Sequence, residues 1–210
     1  FKVPLLISSM TAGHKAGEKI NLILAQKSVE KGWLMAVGSQ RRELTDSVAA
    51  KEWSEIHKKV SNLKLISNIG IAQAIVSKPE QIESLVQSTQ SIGLYIHCNP
   101  LQEVLQPQGN TEFKGGLQTI EKLIKTLSVP VLVKEVGCGF SLRTMQRLQD
   151  IDVSVIDSKA TFSQKSNTYK KSKSAPEGFP DLVGNTQSGV AVYIELKAKG
   201  KLSTLRDKQY

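Results

Sequence analysis

Four polar side chains follow one short apolar run near the middle of the chain and could form a reactive site. The run covers residues 92–96 and has the composition of a buried strand. The strand must end at Asn99-Pro100, because proline has no N–H for a sheet and restricts the residue before it. The polar residues, all within seven positions, are His97, Asn99, Gln102 and Glu103. An imidazole, two amides and a carboxylate at one strand end predict a polar site; the simpler alternative is a loop with a capping asparagine.

A second set of candidate residues lies near the carboxyl end of the chain. Asp181 begins one predicted hairpin strand, and Glu195 and Lys197 lie in the next, after a turn at Ser188-Gly189. Glu195 and Lys197 are two residues apart, so both side chains project from the same face of a strand. Two carboxylates can hold Mg²⁺, and a lysine beside them can position or help to deprotonate a water that attacks a phosphodiester. The alternative is a hairpin with a charged, solvated face.

The elements that must position the first group alternate along residues 1–157. Short β-rich apolar runs predict six strands, at residues 3–9, 34–38, 63–69, 92–96, 129–136 and 153–157. Amphipathic runs predict five helices between them, at residues 15–31, 46–60, 79–91, 116–127 and 142–149. Gly32 ends the first helix, Asp46 can cap the second and Pro79 opens the third. This alternation predicts parallel, right-handed βα units.

Polar residues recur at the carboxyl ends of five of these six strands. They are Ser8, Ser9 and Thr11; Ser39, Gln40 and Arg41; Asn68; His97 to Glu103; and Lys134 and Glu135. The loops after the strands build the active site of a (β/α)₈ barrel. The recurrence therefore predicts an α/β fold with about six βα units of a partial (β/α)₈ TIM-type barrel. The alternative is a doubly wound sheet, which would bind a ligand at one switch point rather than around a ring.

The composition is that of an ordinary globular protein, with 40% hydrophobic and 22% charged residues. The net charge is +9, and residues 158–210 hold 10 Lys and Arg against 4 Asp and Glu, which indicates either an anionic partner for this segment or a solvated basic tail. Runs of about eighteen apolar residues are absent, and Phe1–Leu6 predicts a strand rather than a signal peptide. The two cysteines show neither a zinc-binding nor a disulfide spacing, so we expect a reducing, cytoplasmic location and no membrane partner.

Five segments of residues 1–157 together resemble the type 2 isopentenyl diphosphate isomerase family. They are Ser8-Ser9-Met10-Thr11, Val37-Gly38-Ser39-Gln40-Arg41, Asn68, His97 to Glu103, and Val133-Lys134-Glu135-Val136-Gly137, in the family's order. The resemblance implies an FMN-dependent barrel that interconverts isopentenyl and dimethylallyl diphosphate with reduced FMN and Mg²⁺. It also implies NADPH as the flavin reductant and, for a folded chain, a homo-oligomer.

The resemblance further implies roles for individual residues. Positions that hold FMN are matched by Ser8, Ser9, Met10, Thr11, Ser39, Asn68 and Lys134. Contacts to the allylic diphosphate are matched by Ser39, Gln40, Arg41, His97, Asn99 and Gln102, with His97 and Gln102 expected to be catalytic. Glu103 matches the residue that engages Mg²⁺ on the diphosphate. These residue types suit the chemistry, because an arginine and a Mg²⁺-binding carboxylate together neutralise a diphosphate.

The last quarter of the chain resembles a different family. Its segments GFPDLVG (178–184), YIELKAKGKLS (193–203) and RDKQ (206–209) resemble the PD-(D/E)xK nuclease core of the VRR-NUC family, a small restriction-endonuclease-like α/β hairpin core. The resemblance implies a Mg²⁺-dependent DNA endonuclease with Asp181 and Glu195 as metal ligands and with Asp181, Glu195 and Lys197 as catalytic residues. The implied domains are a partial barrel (1–157), a basic linker or the start of the nuclease core (158–175), and a partial nuclease core (176–210).

Three hypotheses about function stay open from the sequence. The first is an isomerase acting on a small allylic diphosphate, which rests on the longer segment and the larger number of motifs. The second is a DNA endonuclease, which rests on the basic carboxyl-terminal segment. The third is an inactive fusion or fragment in which neither active site forms.

Overall fold

The computed structural model describes residues 5–9, 15–46, 48–49, 51–107 and 109–158, and four further strands between residues 160 and 193. Asp181, Glu195 and Lys197 lie outside the described residues, as do Met10 and Thr11. Within the described part of the chain, no helix is long and apolar enough to cross a membrane.

Six strands pair in parallel and follow one another in sequence order. They are β1 (Leu6–Ile7), β2 (Leu34–Ala36), β3 (Leu65–Gly70), β4 (Leu94–His97), β5 (Val131–Lys134) and, after the two-residue β6 (Phe140–Ser141) of another sheet, β7 (Val155–Ser158). Each of the six pairs in parallel with the next one in this series. The result is a curled half-barrel, which confirms the predicted α/β fold with six units of a partial barrel.

Helices connect the strands of this half-barrel. They are α1 (Lys15–Lys31), α2 (Lys51–Lys59), α3 (Ile71–Val76), α4 (Pro79–Ser88), α5 (Pro100–Leu105), α6 (Gly116–Thr126) and α7 (Leu142–Asp150), with a 3₁₀ helix at Arg42–Leu44. The predicted helix from Asp46 is wrong at its start. The Asp46 carboxylate instead accepts hydrogen bonds from the N–H groups of Val48 and Ala49, which form a turn before α2.

Alternation along each strand divides the apolar residues between two faces of the sheet. On the inner face, a single layer takes one side chain from each of five neighbouring strands: Leu6, Ala36, Ile66, Tyr95 and Leu132. The outer face packs against the helices through two larger clusters. One is centred on Trp53 of α2 and the other on Ile82, Leu94 and Leu123. This apolar layer therefore fills the inner face of the half-barrel below the carboxyl ends of the strands.

The four later strands are β8 (Ala160–Ser163), β9 (Thr168–Lys171), β10 (Leu182–Thr186) and β11 (Gly189–Tyr193). β10 and β11 form an antiparallel hairpin, as the sequence predicted, and β10 pairs antiparallel with β7. β8 and β9 form a second antiparallel pair, and β8 lies parallel to β6. The segment predicted as a linker or the start of the nuclease core thus contains two strands.

Candidate active site at the carboxyl ends of the strands

A polar row lies on the inner face of the sheet, directly beyond the apolar layer. Two residues after Ile66, Tyr95 and Leu132, the same face carries Asn68, His97 and Lys134. The strand register places Gly70 beside His97, His97 beside Lys134, and Lys134 beside Asp157. This arrangement follows from the period of two in each strand, which brings together residues far apart in sequence.

The imidazole of His97 has a strongly perturbed pKa. Burial, and secondarily the positive charge of Lys134, lowers the pKa of His97 to about 4, although the charge of Glu103 opposes the shift. The imidazole is therefore neutral at pH 7. Its Nδ1 lies 3.0 Å from Asn68 Oδ1, an oxygen that can only accept, so Nδ1 carries the proton. The Nε2 atom is then left with a lone pair that can accept a proton or a hydrogen bond.

The absence of a side chain at Gly70 leaves space for the His97 imidazole and the Gln73 amide. A Cβ at this position would lie 2.2 Å from Gln73 Oε1 and 3.1 Å from His97 Nε2. The backbone φ of Gly70 is −73°, which any residue can adopt. The requirement for glycine is therefore steric rather than conformational.

Glu103 is held by groups from three separate elements. Its carboxylate oxygens accept hydrogen bonds from Gln73 Nε2 (3.3 Å) and from the N–H of Asn110 (2.7 Å). Arg41 Nη1 lies 3.9 Å from Oε2, and the Glu103 side chain is only 11% exposed. A carboxylate with several lone pairs can still bind a hard cation here. Gln73 is a site residue that the sequence analysis missed, because only the fold brings α3 next to α5.

The short helix α5 presents Glu103 to the site. Asn99 caps this helix, because its Oδ1 accepts from the N–H of Gln102 at 3.2 Å, and Pro100 occupies the first turn. The Asn99 Nδ2 also donates to Gln102 Oε1 at 2.6 Å, which fixes the orientation of the Gln102 amide. The capping asparagine and the polar site, which the sequence analysis treated as alternatives, therefore occur together.

These groups line a cleft of about 770 Å³ above β3 and β4. Predicted site residues that line it are Ser39, Arg41, His97, Gln102 and Glu103; further lining residues include Gln73, Thr45 and Asn110. Asn68, Lys134 and Asn99 lie next to these residues through the contacts and the register described above. The fold thus brings eight predicted residues from β3, β4, β5 and the loops after β2 and β4 to one place.

Lys134 and the loop after β5 form the neighbouring part of the row. Lys134 Nζ donates to the carbonyl oxygen of Glu135 at 2.8 Å. The buried Glu135 side chain accepts from the N–H groups of Gly137 and Gly139. Both glycines have positive φ, at 130° and 78°, so the loop can fold back over this carboxylate. The Glu135 side chain is thus committed to shaping the loop that follows Lys134.

Two other predicted residues have contrasting surroundings. Ser9 follows β1, and its buried hydroxyl has no hydrogen-bond partner among the residues that the structure describes. Gln40 is 0% exposed, and both ends of its amide have protein partners: the N–H of Asn68 donates to Oε1 at 3.0 Å and Nε2 donates to Glu43 at 2.8 Å. A contact between Gln40 and a substrate stays a prediction. The structure shows the Gln40 amide bonded to Asn68 and Glu43.

Cys98 and the acidic side chains are further candidate reactive groups of this region. Burial raises the pKa of Cys98, next to His97, to about 12, so this thiol is a poor nucleophile. Within the described ranges, no group of three or more His, Cys, Asp or Glu side chains could hold a metal ion.

No family model matches the chain. Curated isopentenyl-diphosphate delta-isomerases match it strongly: the one from Bdellovibrio bacteriovorus is 52% identical over 154 residues, which are 73% of this chain and 44% of the relative. The Legionella pneumophila (strain Corby) enzyme is 46% identical and the Archaeoglobus fulgidus enzyme is 36% identical. Each of these matches covers 73% of this chain and 45% of the relative. The chain thus spans less than half the length of these relatives.

A solved structure is also similar. It is of a Pseudomonas aeruginosa protein assigned as a dihydrodipicolinate synthetase, and it superposes on 72% of this chain and 54% of its own with a TM-score of 0.44 and 12% identity. This likeness is too weak to bear on function.

Proposed function

We propose that residues 1–157 form the diphosphate-binding part of an isopentenyl-diphosphate delta-isomerase that acts on a small allylic diphosphate. The observation that carries the proposal is the convergence of Arg41, His97 and Glu103 on one cleft, in a segment similar to curated enzymes of that name. An arginine and a carboxylate that can bind Mg²⁺ are the groups that a diphosphate requires.

Mg²⁺ fits the cleft at Glu103. Gln73 and Asn110 orient the carboxylate, and Arg41 lies on the same side, where it can share the charge of the diphosphate. A single protein carboxylate is typical of Mg²⁺ that is bound mainly through substrate phosphate oxygens. We infer that the ion and the diphosphate bind together.

FMN fits the neighbouring part of the inner face. The buried Ser9 hydroxyl has no hydrogen-bond partner among the described residues, and Lys134 places a positive charge on the same face as His97. We infer that Ser8, Ser9, Ser39, Asn68 and Lys134 hold the flavin, with NADPH as its reductant. The chemistry supplied by bound reduced FMN would be proton exchange with the allylic carbons of the substrate.

The described residues then mainly orient and polarise the substrate. Neutral His97 can accept a proton or a hydrogen bond at Nε2, and Asn68 keeps the imidazole in that tautomer. Asn99 fixes Gln102, so the Gln102 amide is presented to the cleft in one orientation. Arg41 and Glu103 would anchor the diphosphate end, which leaves the hydrocarbon end directed toward the inner face.

The test uses the full 210-residue chain. After incubation with FMN and desalting, we expect a retained flavin absorbance band that is lost in Lys134→Ala and kept in Lys125→Ala, a control on the exposed face of α6. With reductant and Mg²⁺, the chain should convert labelled isopentenyl diphosphate to its isomer. In Glu103→Gln, the gain in diphosphate affinity that Mg²⁺ provides should fall by at least about tenfold, as loss of a metal ligand or its support does. Glu121→Gln on α6 should leave this gain unchanged.

A colourless chain after reconstitution would contradict the flavin part of this proposal. Conversion that is independent of Mg²⁺ and unchanged in Glu103→Gln would contradict the placement of the diphosphate in this cleft.

A second candidate function is a Mg²⁺-dependent DNA endonuclease in the carboxyl-terminal segment. The β10–β11 hairpin supports it, because Leu182 and Tyr193 are register partners. Asp181 directly precedes one and Glu195 follows the other by two residues. We expect Mg²⁺-dependent cutting of DNA that is lost in Asp181→Asn and in Lys197→Ala. Cutting that survives both changes would contradict this candidate, and absence of cutting in the unchanged chain would favour the inactive alternative for this segment.

A further inference from the structure

Gln40 holds the backbone of Asn68 from two directions. The N–H of Gln40 donates to the carbonyl oxygen of Asn68 at 2.9 Å, and the N–H of Asn68 donates to Gln40 Oε1 at 3.0 Å. Gln40 is 0% exposed and Asn68 is 4% exposed, so water does not compete for these hydrogen bonds. Asn68 in turn contacts the imidazole of His97 through its side chain. The loop after β2 is thereby locked to β3 next to the cleft.

Glu43 determines which way round the Gln40 amide lies. Gln40 Nε2 donates to Glu43 Oε2 at 2.8 Å, and an ionised carboxylate can only accept. A flipped amide would place its oxygen against the carboxylate and its NH₂ group against the N–H of Asn68. Both contacts would then be repulsive. The carboxylate of Glu43 thus selects the single orientation in which Gln40 can accept from Asn68.

Glu43 itself is partly buried and lies near a second carboxylate, Glu52 of α2. Burial raises the pKa of Glu43, the hydrogen bond from Gln40 opposes the rise, and the like charge of Glu52 adds to it. Asn21 of α1 donates to Glu52 Oε1 at 2.9 Å. The hydrogen bonds that reach the inner face therefore run from Glu43 through Gln40 and Asn68 to His97.

We propose that Gln40 and Glu43 are positioning residues that fix Asn68, and through it the tautomer and place of the His97 imidazole. Neither residue needs to touch the substrate for this role. The importance of His97 for catalysis rests on the proposed function, whereas the positioning of His97 does not. The cost of breaking this chain of hydrogen bonds should appear at the imidazole, because Gln40 and Asn68 are buried and have few other ways to satisfy their donors and acceptors.

The experiment observes the imidazole directly by ¹⁵N NMR on the ligand-free full chain. The chain has three histidines, so His97 can be assigned with His97→Gln. We expect wild type to show the Nδ1-protonated tautomer. Glu43→Ala should produce a mixture of tautomers and an upward shift of the His97 titration midpoint from about 4. Glu43→Gln keeps one acceptor oxygen for Gln40 and should retain the wild-type spectrum.

The matched control is Glu83→Ala on α4, which deletes a carboxylate that accepts three hydrogen bonds, two from Ser128 and one from Gln87. It should leave the His97 resonances unchanged. If Glu43→Ala does not fold, Glu43→Asp provides the same test with a carboxylate one methylene shorter. An unchanged tautomer and midpoint in a folded Glu43→Ala or Glu43→Asp chain would overturn the proposal, as would an equal change in Glu83→Ala.

This readout needs neither flavin nor diphosphate, so it separates the two proposals. A chain that lacks isomerase activity but shows the His97 change in Glu43→Ala would retain the positioning role and lose the proposed function. In an active chain, Glu43→Ala should lower kcat, with Glu43→Gln restoring it.

Discussion

The buried imidazole of His97 should make the free energy of unfolding depend on pH in a defined window. Its pKa is about 4 in the folded chain, against about 6.5 in an unfolded one. Between these values the unfolded chain binds a proton that the folded chain does not, so stability falls as the pH is lowered from 6.5 toward 4. Each pH unit in this window is worth about 1.4 kcal/mol, so the full loss approaches ~3 kcal/mol. That is a large part of the ~5–15 kcal/mol that stabilises a typical domain.

Other groups also titrate in this window, and so the comparison must be made between variants. Burial raises the pKa of Glu43, which has the opposite sign: its folded form is stabilised as the pH falls through the folded-state pKa. Hydrogen bonds from Ser128 lower the pKa of Glu83, so the contribution of Glu83 is lost in acid. The difference between wild type and a His97 variant removes both effects.

The measurement is urea unfolding followed by tryptophan fluorescence at several pH values from 7 to 4.5. His97→Gln can still donate to Asn68 but does not titrate, so its loss of stability in acid should be smaller than that of wild type by about 2–3 kcal/mol. His57→Gln removes a histidine that contacts the Thr89 carbonyl instead, and it keeps His97. The acid-induced loss of stability in His57→Gln should therefore exceed that in His97→Gln by as much as the loss in wild type does. Equal acid-induced losses in wild type and His97→Gln would refute the reasoning.

Three further predictions follow from the packing of the described residues. Gly70→Ala should lower the free energy of unfolding, measured with urea, by about 1–3 kcal/mol through overpacking, because the new Cβ would lie 2.2 Å from Gln73 Oε1. Adding Gln73→Ala should recover part of this loss, and no recovery would contradict the steric explanation. Trp53→Ala should cost about 3–5 kcal/mol, because Trp53 is 2% exposed at the centre of the α1–α2 cluster; a cost below 1 kcal/mol would show that this cluster is loosely packed. In a thiol-labelling time course at pH 8, exposed Cys138 should react well before Cys98, whose pKa is about 12, and equal rates would contradict the burial of Cys98.

Much of the fold was predictable because its signals are local. Strands and helices alternate in hydrophobic period, and the predicted helix at residues 15–31 has the bounds of α1. The inner-face positions of Asn68, His97 and Lys134 also follow from the sequence once the strands are recognised, since side chains alternate along a strand. The chain order of the βα units then brings those three residues to one rim.

The local signals were weaker where short elements or loops were concerned. The sequence predicted a break at Asn99-Pro100 and did not predict α5, although the capping asparagine and the proline at the first turn are both typical of a helix start. A six-residue helix has too few apolar positions to show a period. His57 is half-buried against the Thr89 carbonyl, a contact between residues 32 positions apart that no local pattern indicates.

The partners of each site residue were decided by the tertiary structure alone. Sequence identified Gln40, Arg41, His97 and Glu103 by type and position at strand ends. Only the packing of α3 against α5 reveals that Gln73 holds Glu103, and only burial shows that both ends of the Gln40 amide are used within the protein. The physical reason is that residue type and period are encoded locally, whereas hydrogen-bond partners and pKa shifts depend on which distant groups share a buried space.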